Sequence, residues 1–418
     1  MIFAVQRFLL FSIIFFSISQ FGKHFWPFFA YVSGIRVDYL SPTLYFTDIL
    51  IGILFLISLP SLFTYLQKAK RVPIALLLIV FFLCMSIIVS KYSMPALYGS
   101  VKALEMIFLG YMVSRRFSEK DSALLVFLLS GAIVVQGILV ITQMVTQSSV
   151  GGIWYLLGER TFSVASIGIS TVSLFGKEIL RAYGSFPHPN VLAFFMLMAN
   201  LFVLARFSQV SDLRQKVWYC IALGIGVISL LSTFSRISIL LFFSIVFYLS
   251  FRRHISRLIG SVLVLLGTGF VLIFIQRFTL SVLYSNDFTA RLDLAVIAFK
   301  IIAQHLIFGV GMYNYFYYQI DYQRDISPVL LQPPHNIYLL FFLQVGFFGF
   351  LAVLFFLWKT FLRAKHNISI SVLSLQGIAS LLFFCILLIG FWDHYLVTLQ
   401  QGMIMTAFII GLVWLSKK

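Results

Sequence analysis

Charged residues are scarce in this sequence: Asp, Glu, Lys and Arg make up 10% of its 418 residues, whereas a soluble domain carries roughly a quarter. That deficit excludes a water-soluble globular protein, because the remaining apolar surface must face something other than water. Acids are scarcer than bases, 13 against 30, for a formal net charge of +17. Cysteine is almost absent. Cys84, Cys220 and Cys385 all sit inside apolar runs, which argues for packing and against a disulfide framework. Also missing are a His/Cys/Asp/Glu group at metal-ligand spacing, a phosphate-binding glycine loop and a nucleophile elbow. Neither a bound metal nor a cofactor is therefore expected. No internal repeat, low-complexity tract or Pro/Ser-rich linker divides the chain, which reads as one unit over residues 1–418.

In place of polar surface the sequence has long apolar runs. It is 61% hydrophobic with 48 Phe and a mean hydropathy of +1.03, so lipid is the surrounding this surface suits. The positive charge could suggest nucleic acid, but the basic residues form no run with interleaved aromatics. They recur in small clusters between apolar stretches, as the short cytoplasmic loops of membrane proteins do. The first apolar stretch, Phe8 to about Ala30, lacks a small-residue cleavage site and reads as a span.

The clusters set a topology. Arg7; Lys68, Lys70 and Arg71; Arg115, Arg116 and Lys120; and Arg206, Arg214 and Lys216 come first. Arg252, Arg253 and Arg257; Lys359, Arg363 and Lys365; and Lys417 with Lys418 follow. Placed inside, they hold 18 of the 30 basic residues, the asymmetry of the positive-inside rule. Val217–Phe251 is apolar almost throughout; as one helix it would run about 52 Å, against a hydrocarbon core of about 30 Å. It must cross twice, turning at Ser232-Thr233-Phe234-Ser235-Arg236. The same logic between Lys365 and Lys417 puts a turn at Trp392-Asp393-His394. The expected fold is all-α: a polytopic integral membrane protein of about 12 spans with both termini cytoplasmic. Two long outer segments are expected, 147–190 and a larger helical loop over 276–334. In the second, Arg291–Leu306 places Leu292, Ala295, Phe299, Ile302 and Leu306 on one face and Asp293, Lys300 and Gln304 on another. That spacing predicts an amphipathic helix on the bundle or at the interface.

The residues able to carry chemistry all fall on the outer side. Arg181, His188 and Asn190 precede a span beginning at Val191; Arg236 is at a hairpin apex; Arg291 starts the amphipathic helix. His335 and Asn336 follow Pro333-Pro334, and Asp393 and His394 mark the last outer turn. Several guanidinium groups at the ends of different helices could converge on phosphate oxygens, and a histidine can take a proton near neutral pH. Such a set suits a phosphate-bearing leaving group and a hydroxyl acceptor. A cation in the first turn of a helix, where Arg291 is expected, opposes the macrodipole, and a bound anion would relieve it. Each of these residues also has an ordinary reading: arginines at helix ends anchor to headgroups, and His188 between two prolines serves a turn.

At these same positions the sequence resembles the O-antigen ligase and O-antigen polymerase family of bacterial envelope glycan transferases. The resemblance lies in Arg-Ala-Tyr-Gly-Ser-Phe-Pro-His-Pro-Asn-Val-Leu-Ala (181–193), Ser-Thr-Phe-Ser-Arg (232–236) and Thr-Ala-Arg ending at Arg291 with the helix to Gly309-Val310-Gly311. It continues in His335-Asn336-Ile337-Tyr338 with Gly346 and Gly349 behind. It implies metal-independent, inverting transfer of a glycan from undecaprenyl pyrophosphate at the periplasmic face of the bacterial inner membrane. The implied acceptor is lipid A-core, another lipid-linked repeat unit or a protein hydroxyl; membrane lipids are the other partner, and nucleic acid is not one. On this resemblance Arg181, Arg236 and Arg291 would bind the pyrophosphate, His335 would be the general base, and Asn336 and Asp393 would support it. His188 is given no catalytic role. The competing reading is a transporter of a lipid-linked glycan or another solute, for which Glu105 is the only strong candidate for an ionisable residue near the bilayer midplane.

Overall fold

Long apolar sequence folds into helices because, away from water, every backbone N–H and C=O must find its partner within the segment. The structure, a computed structural model, describes residues 2–68, 74–174, 176–275, 286–322 and 331–416. Lys70, Arg71, Lys417 and Lys418 lie outside the described residues, as do 276–285 and 323–330 of the second long segment.

The chain opens with α1 (Ile2–Phe16), then four short strands, β1 (Gly22–His24), β2 (Tyr31–Val32), β3 (Ile35–Arg36) and β4 (Thr43–Tyr45). α2 (Phe46–Lys68), α3 (Ile74–Ile88), α4 (Ser93–Arg116), α5 (Ser122–Thr146) and the one-turn α6 (Ile153–Leu156) follow. Next come β5 (Thr171–Leu174), β6 (Lys177–Leu180), α7 (Pro189–Phe207), α8 (Leu213–Ser232), α9 (Arg236–Phe251) and α10 (Arg257–Ile273). The chain finishes with α11 (Asn286–Gln304), α12 (Tyr315–Gln319), α13 (Ile337–Ile370), α14 (Leu375–Ile389), α15 (Tyr395–Thr398) and α16 (Gln400–Val413). Among the described residues, 6 helical stretches are long and apolar enough to cross a membrane, and further apolar helices have 10–17 residues. The two inferred hairpins are present, with α8 and α9 meeting at Thr233–Ser235 and α14 giving way to α16 through a turn at 390–399.

Two expectations need correction. The first apolar stretch does not run to Ala30 as one helix: α1 ends at Phe16, where Ser17, Ser19 and Gln20 bring polar side chains and Gly22 and Pro27 follow. Nor is the fold wholly α. β2 and β3 form a hairpin within the antiparallel β1–β4 pair, and β5 pairs with β6. The hairpin turns at Ser33 and Gly34, both at positive φ.

The core is built around α7, whose side chains from Val191 to Leu204 are almost all inaccessible. It packs against α5, α8, α9 and α14. Pro189 is favoured in a first helical turn because its missing N–H is not needed there. The His188 imidazole caps that turn, Nδ1 accepting from Asn190 N at 3.1 Å. This most buried helix thus begins among the predicted site residues, with Arg181 and His188 before it and Asn190 in its first turn.

α13 is one helix only by continuity. Gly346 sits at φ 68°, ψ −172°, breaking the hydrogen-bond ladder. Residues 306–311 fill the break: Val310 N donates to Leu343 O at 2.9 Å, Gly311 N to Gln344 O at 3.1 Å, and Phe347 N to Leu306 O at 2.8 Å. A Cβ on Gly346 would stand 2.3 Å from Ile307 O, so the two backbones meet as closely as they do only because glycine is there.

α11 lies in the second long segment and starts one turn before the apolar spacing there indicates. It begins at Asn286, with Asn286 and Asp287 as the residue types helix starts favour, so Arg291 lies in its second turn. Leu294, Ile297, Ala298 and Ile301 are buried against Val32, Val37, Tyr315, Phe316 and Leu343. Leu292, Val296, Phe299 and Leu306 are exposed. Two apolar stripes therefore run along the helix. One enters the protein; of the face read from the sequence, Leu292, Phe299 and Leu306 are exposed while Ile302 is buried with the inward stripe.

Candidate active site

Five separate pieces of chain meet at the end of the bundle where α7, α9 and α13 begin. The stretch 181–190 is fixed by two glutamines of α5. Gln143 exchanges hydrogen bonds with both backbone groups of Gly184, at 2.9 and 3.0 Å. Gln136 accepts from Ser185 N at 3.0 Å and donates to Ser185 Oγ at 2.8 Å. So held, Arg181 is buried and donates from Nε to Thr233 O at 2.7 Å, tying it to the α8–α9 turn. Its Nη2 donates to Asn190 Oδ1 at 2.7 Å, and Asn190 Nδ2 donates in turn to Asp393 Oδ2 at 2.7 Å.

Asp393 is the hub. Besides Asn190 it accepts from His394 N at 2.8 Å, and its Oδ1 stands 3.5 Å from His335 Nδ1. Arg291 reaches the same turn, its Nη1 donating to Trp392 O at 2.9 Å. Asn336 caps α13, accepting from Leu339 N at 2.9 Å, while its Nδ2 donates to Phe391 O at 3.3 Å. Both Asn336 and Arg291 thus bind the 391–393 backbone. Arg236 is the first residue of α9, three positions past the Thr233 carbonyl that holds Arg181.

The histidines differ in surroundings. His335 keeps 17% of its side-chain exposure, and its Nε2 faces the Gln332 amide at 3.3 Å. His394 is buried, its ring centre 4.8 Å from that of His335 and its edge against Tyr39. His394 Nδ1 meets Thr398 Oγ1 at 2.7 Å. Burial, then the charge of His335, lowers the His394 imidazole to about 3, and burial with Arg181 lowers His188 to about 3. For Asp393 burial works in the raising direction, but the neighbouring His335, His394 and Arg291 outweigh it and hold the carboxyl well below its usual range. A buried carboxylate held between histidines and guanidinium groups stays ionised and keeps an adjacent imidazole oriented.

The structure brings together Arg181, Arg291, His335, Asn336 and Asp393 from the sequence reading and sets Arg236 next to the Thr233 turn. What the sequence concealed is the connection: Asn190 as the link from Arg181 to Asp393, and His394, Thr398 and Tyr39 around the same point. His335, Asp393 and His394 also place ligand atoms within 4.8 Å of one another. The expectation that no metal-ligand group exists is thereby corrected, since residues distant in sequence supply one. Its chemistry favours an anion nearby over a cation. The carboxylate already accepts from Asn190 and His394, and Arg181 and Arg291 bring positive charge to the same place.

No curated protein matches the chain. The O-antigen ligase family model matches residues 221–354, a stretch carrying Arg236, Arg291, His335, Gly346 and Gly349, and transfer of lipid-linked glycans is the role this family supports in general. The sequence resemblance and this match agree, and the chain carries, over those residues, the domain of the O-antigen ligase family.

Proposed function

We propose that the protein transfers a glycan from undecaprenyl pyrophosphate to an acceptor hydroxyl, at a site opening to the periplasmic face of the bacterial inner membrane. The observation that carries this is the buried Asp393 beside His335 at 3.5 Å, with Arg291 on the same turn and Arg181 linked to the carboxylate through Asn190. With Asp393 facing Nδ1, the proton of neutral His335 resides there and Nε2 is the basic atom. His335 Nε2 takes the acceptor hydroxyl proton as the oxygen attacks the anomeric carbon from the face opposite the pyrophosphate. The bond from that carbon to the pyrophosphate oxygen breaks, configuration inverts, and the pyrophosphate leaves with the electron pair. Asp393 stabilises the imidazolium that forms.

Arg236 and Arg291 are the groups proposed to bind the leaving pyrophosphate. The dipole argument applied above to Arg291 belongs to Arg236, which is the residue in a first helical turn; an anion there is favoured by both the helix and the guanidinium. Arg181 has two of its nitrogens engaged by Thr233 and Asn190, so its main part is to hold the Asn190–Asp393 link and lend charge. No metal step is needed, because guanidinium groups supply the charge stabilisation. The acceptor is lipid A-core, a lipid-linked repeat unit or a protein hydroxyl.

The test is transfer by the purified protein, in liposomes, from an undecaprenyl-pyrophosphate-linked glycan to each acceptor class, with and without EDTA. Product from one acceptor, undiminished by EDTA, is expected. Activity abolished by EDTA and restored by magnesium would contradict the metal-independent site, and flux of the lipid-linked glycan without transfer would favour a transporter.

A further inference from the structure

A second polar cluster lies among the membrane helices, and the proposed chemistry does not use it. Lys102 on α4 places Nζ 2.6 Å from Asp48 Oδ2 on α2 and 3.1 Å from Glu105 Oε2, three residues along its own helix. The Lys102 and Asp48 side chains are 6% and 9% exposed. Ionisable groups buried within membrane helices are costly and are seldom kept without a use. The cluster grips one further side chain from both ends: Lys102 Nζ donates to Gln400 Oε1 at 3.2 Å, and Gln400 Nε2 donates to Asp48 Oδ1 and, at 3.1 Å, to Thr47 Oγ1.

Gln400 is the first residue of α16. Two positions earlier Thr398, the last residue of α15, meets the His394 ring, and Asp393 and His394 lead directly into that short helix. We propose that Asp48 and Lys102, the latter also paired with Glu105, grip Gln400 and so form the positioning device that sets the Asp393–His394 turn against His335; this rests on the function proposed above. Helices packed only through apolar side chains can slide or rotate at little cost. An amide gripped by a carboxylate and an ammonium cannot, because a shift would leave buried charges without partners. The grip joins α2, α4 and α16, so the turn inherits its position from three helices.

The experiment uses the full-length protein in nanodiscs and two variants. Gln400→Leu cuts the link but leaves Asp48, Lys102 and Glu105 paired with one another, so the helices retain their charge balance. Asp48→Asn with Lys102→Met removes one charge of each sign. Hydrogen exchange of residues 393–399 is followed beside kcat and KM for the undecaprenyl-pyrophosphate-linked glycan. In both variants exchange in 393–399 should accelerate, and kcat should fall on the order of 10²-fold. KM should stay within about twofold, because the arginines proposed to hold the donor are untouched. Wild-type exchange and kcat in both variants would overturn the proposal, as would faster exchange with kcat unchanged. Absence of transfer by the wild-type protein would instead overturn the functional reading; unchanged exchange would then still overturn the grip on the turn.

Discussion

His335 gains its chemical meaning from residues distant in sequence. Asp393 faces Nδ1 from the α14–α15 turn, and Asn190, capped into the start of α7 by His188, holds the far oxygen of that carboxylate. Asp393→Asn keeps the shape but cannot stabilise the imidazolium, so transfer should fall by about 10²–10⁴ while donor binding persists; unchanged kcat would remove Asp393 from the mechanism. Arg291→Lys should not restore the wild-type rate, since a point charge cannot reproduce a planar fork. Transfer kinetics of Arg291→Lys beside Arg291→Ala provide the check. Acid stability gives a test independent of activity. His188 and His394 are lowered to about 3 from about 6.5 in an unfolded chain. As pH falls through the unfolded value, the unfolded chain binds protons that the folded one refuses, so stability is lost from about pH 6.5 towards 3. Asp393, held low, acts in the same direction below the usual carboxylate range. The unfolding temperature should therefore fall steadily from pH 7 to pH 4, with a shallower slope in His394→Gln; a flat profile would mean these imidazoles are not buried neutral. The candidate residues were legible because Arg, His and Asp stand out in apolar sequence. Their pairing was not, because nothing in a linear pattern says that Asn190 meets Asp393 or that Tyr39 lies against His394.

Elements were legible in proportion to how far local pattern decides them. The α8–α9 hairpin follows from the length of its apolar run alone, and the structure turns at the inferred apex. The start of α11 was missed because the apolar spacing begins after Arg291, whereas Asn286 and Asp287 already favour a helix. Of its buried stripe only Ile302 was on the face read from the sequence, because the helix carries two apolar stripes and periodicity alone cannot say which meets protein and which lies outward. The glycines of 309–311 and 346 were visible as a motif, but their joint purpose appears only when the 306–311 backbone enters the break in α13. Gly346→Ala should expose that purpose. Its positive φ and the contact with Ile307 O leave no room for Cβ, so a loss of about 1–3 kcal/mol is expected, seen as a lower unfolding temperature of the detergent-purified protein. Gly131→Ala, with open space around the added carbon, is the comparison. Equal stability of the two variants would show that the break tolerates a side chain.

At the scale of the whole molecule, two of the helices that begin at the site, α7 and α9, run to basic residues. α7 reaches Arg206 near its close, a helix of 19 residues being about 28 Å long, and Arg252 follows α9. The orientation this gives, with the site outside, is testable by single cysteines in a background lacking Cys84, Cys220 and Cys385. Ile167 is 95% exposed and His254 is exposed. Position 167 should label in intact cells and position 254 only after permeabilisation; the reverse would invert the topology. Phe234 and Asp393, though at the turns, are buried and make poor reporters. The general class, a helical membrane protein, was legible from charge scarcity and the placement of basic clusters. The short strand pairs of 22–45 were not, because two- and three-residue strands carry no periodicity to read. In the proposed reaction His335 moves the acceptor proton while the arginines hold the donor. Its most direct test measures binding of the undecaprenyl-pyrophosphate-linked glycan and product formation on the same preparation of His335→Ala, with Arg252→Ala at the opposite end as the control. His335→Ala should bind donor as the wild type does and transfer about 10²–10⁴-fold more slowly, with Arg252→Ala normal in both. Near wild-type transfer by His335→Ala, with transfer lost in Arg252→Ala, would contradict it.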